Sequence, residues 1–140
     1  MTFLDHKGRR THLWVNKEVI IDDEQAYMDM MLDRICSVLE EPVDMYVNSR
    51  FLPYAMSDRY DMFWTEERID RFVNALAKSG KALEINELYH IPNKAIAAGV
   101  KFTFGSNNIT PEVGTLDYCI RMKKECGLTA QDMYKPHINI

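Results

Sequence analysis

The sequence predicts an α/β protein built from about three consecutive βα units. Three short apolar runs, at 43–48, 82–86 and 100–108, each end in a polar cluster. Each run is followed by a segment with helical spacing, which is the alternation of βα units. Open α/β sheets and (β/α) barrels bind their ligands at the carboxyl ends of parallel strands. The polar clusters therefore indicate where a site lies more clearly than what it does.

The composition predicts one domain, residues 1–140. Hydrophobic residues make up 46% of the chain and charged residues 27%, as in ordinary globular proteins. The net charge of −4, with no basic stripe, argues against a nucleic-acid partner. No apolar stretch is long enough for a membrane span, and the start lacks the apolar core of a signal peptide. Neither a nucleic-acid nor a membrane partner is predicted.

The three cysteines are Cys36, Cys119 and Cys126, and they contain no CxxC pair. An odd count without that spacing argues against a disulfide framework and a structural zinc site. Cys36 and Cys119 fall on helical apolar stripes, where cysteine acts as a small buried hydrophobe. A reducing, cytoplasmic setting fits this pattern best.

The first helix is predicted from Asp22 onwards, where acidic residues supply an N-cap and favourable charge. Pro42 stops the helix shortly before the first strand. Its apolar stripe consists of Met28, Met31, Leu32, Ile35 and Leu39.

The second helix has the clearest signals. Thr65 is its predicted N-cap, and Gly80 suits the left-handed position just beyond its end. Its apolar residues recur at helical spacing and are Ile69, Phe72, Val73, Leu76 and Ala77.

The third crossover is unusually short, with room for barely two helical turns between Pro92 and Gly99. A final helix is predicted to end at Gly127, and the run 129–132 resembles a capping box that opens one more turn. The apolar positions of that final helix are Leu116, Cys119, Ile120 and Met122.

Six polar residues are predicted to converge above the strand ends: Asn48, Arg50, Glu84, Asn86, Asn107 and Asn108. Their amides and carboxylate could hold a polar ligand, and Arg50 could bind an anion bidentately. Asn107 and Asn108, after Gly105, are also ordinary turn and capping residues, and capping is the stronger interpretation for both. Glu84 could pair with Arg50 or a lysine instead. Asn48 and Glu84 favour a site, because polar groups within strand-like runs are costly to bury unpaired.

The residues from Phe51 to Trp64 are predicted to form a long loop rich in aromatic residues and methionine. Loops of this length are commonly lids or partner-binding segments. The alternative is that the aromatic residues plug the top of the sheet or bury a subunit contact. The sequence does not decide between these interpretations.

No metal or catalytic motif is present in the sequence. The four histidines, His6, His12, His90 and His137, have no metal-ligand spacing, and no GxGxxG, GKS/GKT or GxSxG motif occurs. No metal ligand is therefore assigned from the residues, and the catalytic residues stay unknown.

The segments 43–53, 65–86 and 100–128 resemble the carboxyl-terminal part of the PHP (polymerase and histidinol phosphatase) family. The similarity is strongest in Ala82-Leu83-Glu84-Ile85-Asn86 and in 98–108, where the family has a strand, Gly-Ser-Asp-Ala-His and a helix. Among its members, the chain is most similar to bacterial PHP-like proteins. The resemblance implies part of a distorted seven-stranded (β/α) barrel, similar to a TIM barrel, and hence about half of a longer protein in which Met1 is internal.

The resemblance also implies that the metal site is degenerate in this half. Asn107 stands where the family has a metal-binding aspartate, Ile109 where it has a histidine, and Asn48 where a strand-end histidine is expected. The amino-terminal HxH motif is missing. Asparagine is a poorer ligand for catalytic transition metals than carboxylate or imidazole. The first hypothesis is therefore a PHP-like protein that binds a phosphorylated small molecule, needs no cofactor and is inactive as an isolated chain.

Two alternatives remain open. The first is a metal-dependent phosphoesterase, a hydrolase of phosphoric esters, with Mn, Fe or Zn held by further ligands in a missing amino-terminal half. The second is a structural or oligomerisation module, with the segment from Phe51 to Trp64 as the subunit interface. Half a barrel exposes unpaired strand edges, so a homo-oligomer that covers them is expected.

Overall fold

The computed structural model describes residues 21–49, 52–86, 93–106 and 114–136, and it shows a mixed α/β protein. Five helices, a 3₁₀ helix and three strands alternate along these ranges. Their order is α1 Glu24–Val38, β1 Met45–Tyr46, the 3₁₀ helix Tyr54–Arg59, α2 Tyr60–Phe63, α3 Glu66–Ser79, β2 Ala82–Asn86, α4 Asn93–Ala97, β3 Phe102–Gly105 and α5 Asp117–Glu125. The predicted loop or ribbon at the start of the chain lies outside these ranges.

The strands form one parallel sheet in the order β1-β2-β3, so the predicted succession of parallel strands is confirmed. Tyr46 pairs with Leu83, and Glu84 pairs with Thr103 on the other side of β2. The first strand is shorter than its apolar run. It ends at Tyr46, and Asn48 takes a left-handed backbone conformation with φ of 54°, which ends the extended geometry.

Helix α1 begins and packs as its sequence predicts. The Asp23 side chain accepts a hydrogen bond from the Ala26 amide (2.9 Å), which caps the helix one residue after the predicted acidic start. Leu39, just beyond α1, is buried as well. The whole predicted stripe lies in the core: Met28, Met31, Leu32, Ile35 and Leu39.

Helix α3 is confirmed at both ends. Thr65 accepts a hydrogen bond from the Arg68 amide, and Gly80 closes the helix with φ of 69°. Two predicted core positions differ, because Ile69 is only partly buried and Ala77 is exposed. The helix packs beside α1, and the Arg68 guanidinium lies 2.7 Å from the Asp29 carboxylate between them.

The prediction of a long loop between β1 and α3 is wrong. Most of this segment is helical, and its apolar side chains Leu52, Met56, Phe63 and Trp64 are buried. Trp64 packs edge-on against Phe72 of α3, with the ring centroids 6.1 Å apart. The physical reason is the large apolar area of these residues, which folds onto the sheet and helices rather than facing solvent. The described part therefore supports the alternative interpretation, in which the aromatic side chains pack onto the protein itself, whereas Phe51 lies outside it.

The third crossover is short, as predicted, because α4 has one and a half turns, Asn93–Ala97. In α5, Cys119 is buried, and its thiol donates a hydrogen bond to the Ile85 carbonyl of β2 (3.0 Å). Ile120, predicted to be on the buried stripe, is 60% exposed instead, because it lies on the outer side of this short helix. Thr129 and Asp132 form a hydrogen-bonded turn where a capping box was predicted.

The start of the outer edge of β3, at Phe102, is paired by a later segment of the chain. Phe102 donates to the Asp132 carbonyl and accepts from the Tyr134 amide, both at 2.8 Å, which forms a parallel bridge with Met133. No described residue pairs with the outer edge of β1. Within the described ranges, no helix has both the length and the apolar character that crossing a membrane requires.

Candidate functional site

Three of the six predicted site residues lie together at the carboxyl ends of β1 and β2. The Asn86 side-chain amide donates one hydrogen bond to Glu84 Oε2 (2.9 Å) and one to Asn48 Oδ1 (3.2 Å). An amide nitrogen has two hydrogens, so both are used. We name Asn48, Glu84 and Asn86 the amide–carboxylate cluster.

The sheet explains why these side chains meet. Glu84 and Asn86 are two residues apart on β2, so their side chains leave the same face of the sheet. Asn48 follows the neighbouring parallel strand, and the carboxyl ends of parallel strands lie at the same edge. Asparagine tolerates the left-handed conformation of residue 48 better than most residues.

Gly105 of β3 completes the cluster from the other side. A Cβ at this position would lie 2.0 Å from Glu84 Oε1 and 2.7 Å from Glu84 Cδ. The carboxylate therefore rests directly over the backbone of β3, in space that any side chain would occupy. Gly105 was placed in the third apolar run from the sequence and was not predicted to be a site residue, although a glycine at the end of a strand is a usable signal of close approach.

Burial differs sharply within the cluster. The Asn86 side chain is completely buried at 0% exposure, Glu84 is partly buried, and Asn48 is exposed. No arginine or lysine of the described part forms an ion pair with Glu84. The expected pairing of Glu84 with a lysine is therefore absent there, and Arg50, the other expected partner, lies outside the described residues.

Ser49, next to Asn48, adds a second buried polar group at this end of the sheet. Its hydroxyl is buried and has no hydrogen-bond partner within the ranges that the structure describes. A buried hydroxyl without a partner costs about 1–3 kcal/mol, so such groups commonly bind water or a ligand. Ser49 was missed from the sequence, because serine after a strand is an ordinary turn residue.

The remaining predicted site residues, Arg50, Asn107 and Asn108, fall outside the described residues, as do all four histidines. Among the residues described, no group of three or more histidine, cysteine, aspartate or glutamate side chains could hold a metal ion. The groups that the structure brings together are thus suited to hydrogen bonding. Glu84 offers carboxylate acceptors, and Asn48 offers an amide nitrogen for which no described residue is an acceptor.

Comparisons with protein-family models, with curated proteins and with solved structures find no match to this chain.

Proposed function

We propose that this chain is a PHP-like α/β protein that binds a small, hydroxylated and phosphorylated ligand at the carboxyl ends of its strands, without catalysis by the isolated chain. One observation carries the proposal. The fully buried Asn86 amide holds a carboxylate and a second amide together at the strand ends, where α/β proteins bind ligands.

The energetics of Glu84 favour a ligand. A partly buried carboxylate has lost some of its hydration, and its one described hydrogen-bond donor is the neutral Asn86 amide. A ligand hydroxyl that donates to the carboxylate would replace the lost water with a charge-assisted hydrogen bond. The same hydroxylated ligand could accept from the Asn48 amide nitrogen.

The phosphate of the ligand needs a different partner, because Glu84 repels an anion. Arg50 follows Asn48 by two residues in the chain, and its guanidinium is suited to bidentate phosphate binding. We therefore assign the hydroxyl groups of the ligand to Glu84 and Asn48, and its phosphate to Arg50.

The PHP-like ancestry remains part of the proposal. Parallel strands that follow one another in the order β1-β2-β3 support a barrel-like progression, since each βα unit of a barrel places its strand beside the preceding one. The resemblance of 82–86 and 98–108 to the family supplies the rest of the argument. In this interpretation the chain is part of a barrel whose phosphoesterase metal site has degenerated.

The test is isothermal titration calorimetry with triose and hexose phosphates, their unphosphorylated counterparts and inorganic phosphate. We expect at least one sugar phosphate to bind more tightly than its unphosphorylated sugar and more tightly than inorganic phosphate. The Glu84→Gln variant should weaken that binding at least about tenfold, because a hydrogen bond to a charged group contributes about 1.5–3 kcal/mol.

The matched control is Glu125→Gln, which removes an exposed carboxylate at the end of α5. This variant should bind like the wild type. The proposal is wrong if no compound in the panel binds, or if the two substitutions weaken binding equally.

A further inference from the structure

The outer edge of β1 combines exposed apolar side chains with available backbone groups. Val43, Met45 and Val47 are all exposed, with Met45 at 42%, and they alternate along the chain. Met45 lies in β1, and Val43 and Val47 flank that two-residue strand along the chain. We call these three exposed side chains the β1 row.

The backbone of this edge is suited to pairing with another strand. The Asp44 carbonyl accepts from the Ala82 amide (3.0 Å), which turns the backbone groups of Asp44 towards β2. Successive residues of a strand alternate in direction, so the N–H and C=O of Met45 point away from β2. No residue of the described ranges bonds to them.

The charges beside the β1 row identify the type of partner. Glu40, Glu41 and Asp44 are exposed and close to it in the chain, and none of them has an ion-pair partner within the described part of the chain. The Asp44 carboxylate also interacts with the Tyr134 phenol. Lys81, a cation near this edge, donates a hydrogen bond from Nζ to the Val43 carbonyl (3.0 Å). A second copy of the chain would bring the same carboxylates to the contact, and like charges there are unfavourable.

We propose that the β1 row docks an extended segment of a partner protein in which apolar and basic residues alternate. In the isolated chain, the segment adds a strand beside Met45, at the edge that a neighbouring strand would cover in a complete barrel, and its backbone bonds the N–H and C=O of that residue. Its apolar side chains cover Val43, Met45 and Val47. Its basic side chains meet Glu40, Glu41 and Asp44, so the affinity falls as salt is added.

The probe is a labelled synthetic peptide of alternating lysine and valine, titrated with the full chain at low salt and followed by fluorescence anisotropy. We expect saturable binding, and protection of the Met45 and Val47 amides from hydrogen exchange. Replacing lysine by glutamate in the peptide, or methylating its backbone nitrogens, should abolish binding, because charge pairing or strand pairing is then lost.

Met45→Lys should weaken binding at least about tenfold, since a lysine on an edge strand blocks strand addition. Val47→Lys provides a second variant in case the first does not fold. The matched control is Met62→Lys, which changes a methionine of α2 that is 57% exposed and should bind like the wild type.

The proposal is overturned by no binding of the lysine–valine peptide, by equal binding of the glutamate–valine peptide, or by equal weakening by Met62→Lys. A dimer of the wild type in sedimentation that Met45→Lys dissociates would assign this edge to a second copy instead.

Discussion

The two ends of the sheet use their polar side chains differently. At the amino end, Lys81 Nζ bonds the Val43 carbonyl (3.0 Å) and Lys101 Nζ bonds the Gln131 carbonyl (2.8 Å), so each lysine ties a neighbouring segment to the sheet. At the carboxyl end, Glu84 and Asn86 bond each other and reach Asn48 of the next segment. The two lysines at the amino end thus bond backbone carbonyls, whereas the carboxyl end holds a carboxylate without a described counter-ion.

This difference separates polar groups that water can replace from polar groups that water cannot reach. The lysines at the amino end stabilise loops from the surface, where a lost hydrogen bond is replaced by water. The Asn86 amide at the carboxyl end is completely buried, so its loss cannot be compensated in that way. We therefore expect substitutions to have large effects at the carboxyl end and small effects at the amino end.

The largest effect is expected for Asn86→Asp. The substitution places a second carboxylate in the buried position next to Glu84 and removes both donated hydrogen bonds. Burial and the like charge raise the pKa of the new carboxyl in the folded state, and unfolding relieves the repulsion. The free energy of unfolding at neutral pH should fall by about 3 kcal/mol, measured by urea denaturation.

The same variant has a pH dependence of known sign. Because the folded state holds the proton more tightly than the unfolded state, the stability penalty grows as the pH rises above the unfolded pKa of about 4. Below that pH the charge penalty disappears. Asn74→Asp, at an exposed position of α3, should show neither the loss nor the pH dependence, and equal behaviour of both variants would contradict the account.

A smaller loss is expected for Gly105→Ala. The new methyl group would overlap Glu84 Oε1, so the carboxylate must move and the Asn86 amide loses an acceptor. The free energy of unfolding should fall by about 2 kcal/mol. In a Glu84→Ala background the same substitution should cost much less, because the space is then empty. Additive losses in this double-mutant cycle would show that the two residues do not contact each other.

A spectroscopic effect without a large change in stability is expected at the amino end. Partial burial, and secondarily the Asp44 carboxylate, raise the pKa of the Tyr134 phenol above its ordinary value of 10.0. Asp44→Asn should lower this pKa while leaving it raised, because the larger cause, burial, remains. The folded state favours the neutral phenol, so its stabilising contribution is present below pH 10 and is lost as the pH rises through the folded pKa.

The Tyr134 titration can be followed by nuclear magnetic resonance of ring-labelled tyrosine. Tyr46 is an internal reference, since burial raises its pKa further and it should stay protonated over the same range. A Tyr134 phenol with an ordinary pKa in the wild type would contradict the partial burial of Tyr134 beside Asp44 at the amino end.

The smallest effect is expected for Lys101→Met, which removes a hydrogen bond from an exposed lysine to the Gln131 carbonyl. Water replaces the lost donor, so the melting temperature should change by no more than about 2 °C in scanning calorimetry. A loss as large as that of Gly105→Ala would remove the distinction between the two ends of the sheet.

Local signals in the sequence were enough to predict the helices that have them. Asp23 and Thr65 are N-caps whose side-chain oxygens each accept a hydrogen bond from a backbone N–H three residues later. Gly80 ends its helix in the left-handed conformation that favours glycine. All three act within one helical turn. The parallel strands were also predictable, because short apolar runs that alternate with helices are typical of parallel strands buried between helices. The convergence of Asn48, Glu84 and Asn86 was predictable because the carboxyl ends of neighbouring parallel strands lie at the same edge of a sheet, and no sequence motif was needed.

Contacts between distant segments were not predictable in the same way. The segment from Leu52 to Trp64 lacks a regular apolar period, so its folding onto Phe72 depends on the shape of the core. The parallel bridge between Phe102 and Met133 joins residues far apart in sequence through backbone atoms, which carry no side-chain signal. The space above Gly105 depends on the orientation of Glu84, which only three-dimensional packing determines.

The most direct test of the assignment of function to the carboxyl end is nuclear magnetic resonance of the labelled chain during titration with a sugar phosphate. The account predicts that the side-chain amide signals of Asn48 and Asn86 and the backbone amide of Gly105 shift and saturate together. The amide signals of Lys81 and Lys101, at the amino end, should stay in place. Shifts confined to the amino end, or no saturable shift at the amide–carboxylate cluster, would contradict it.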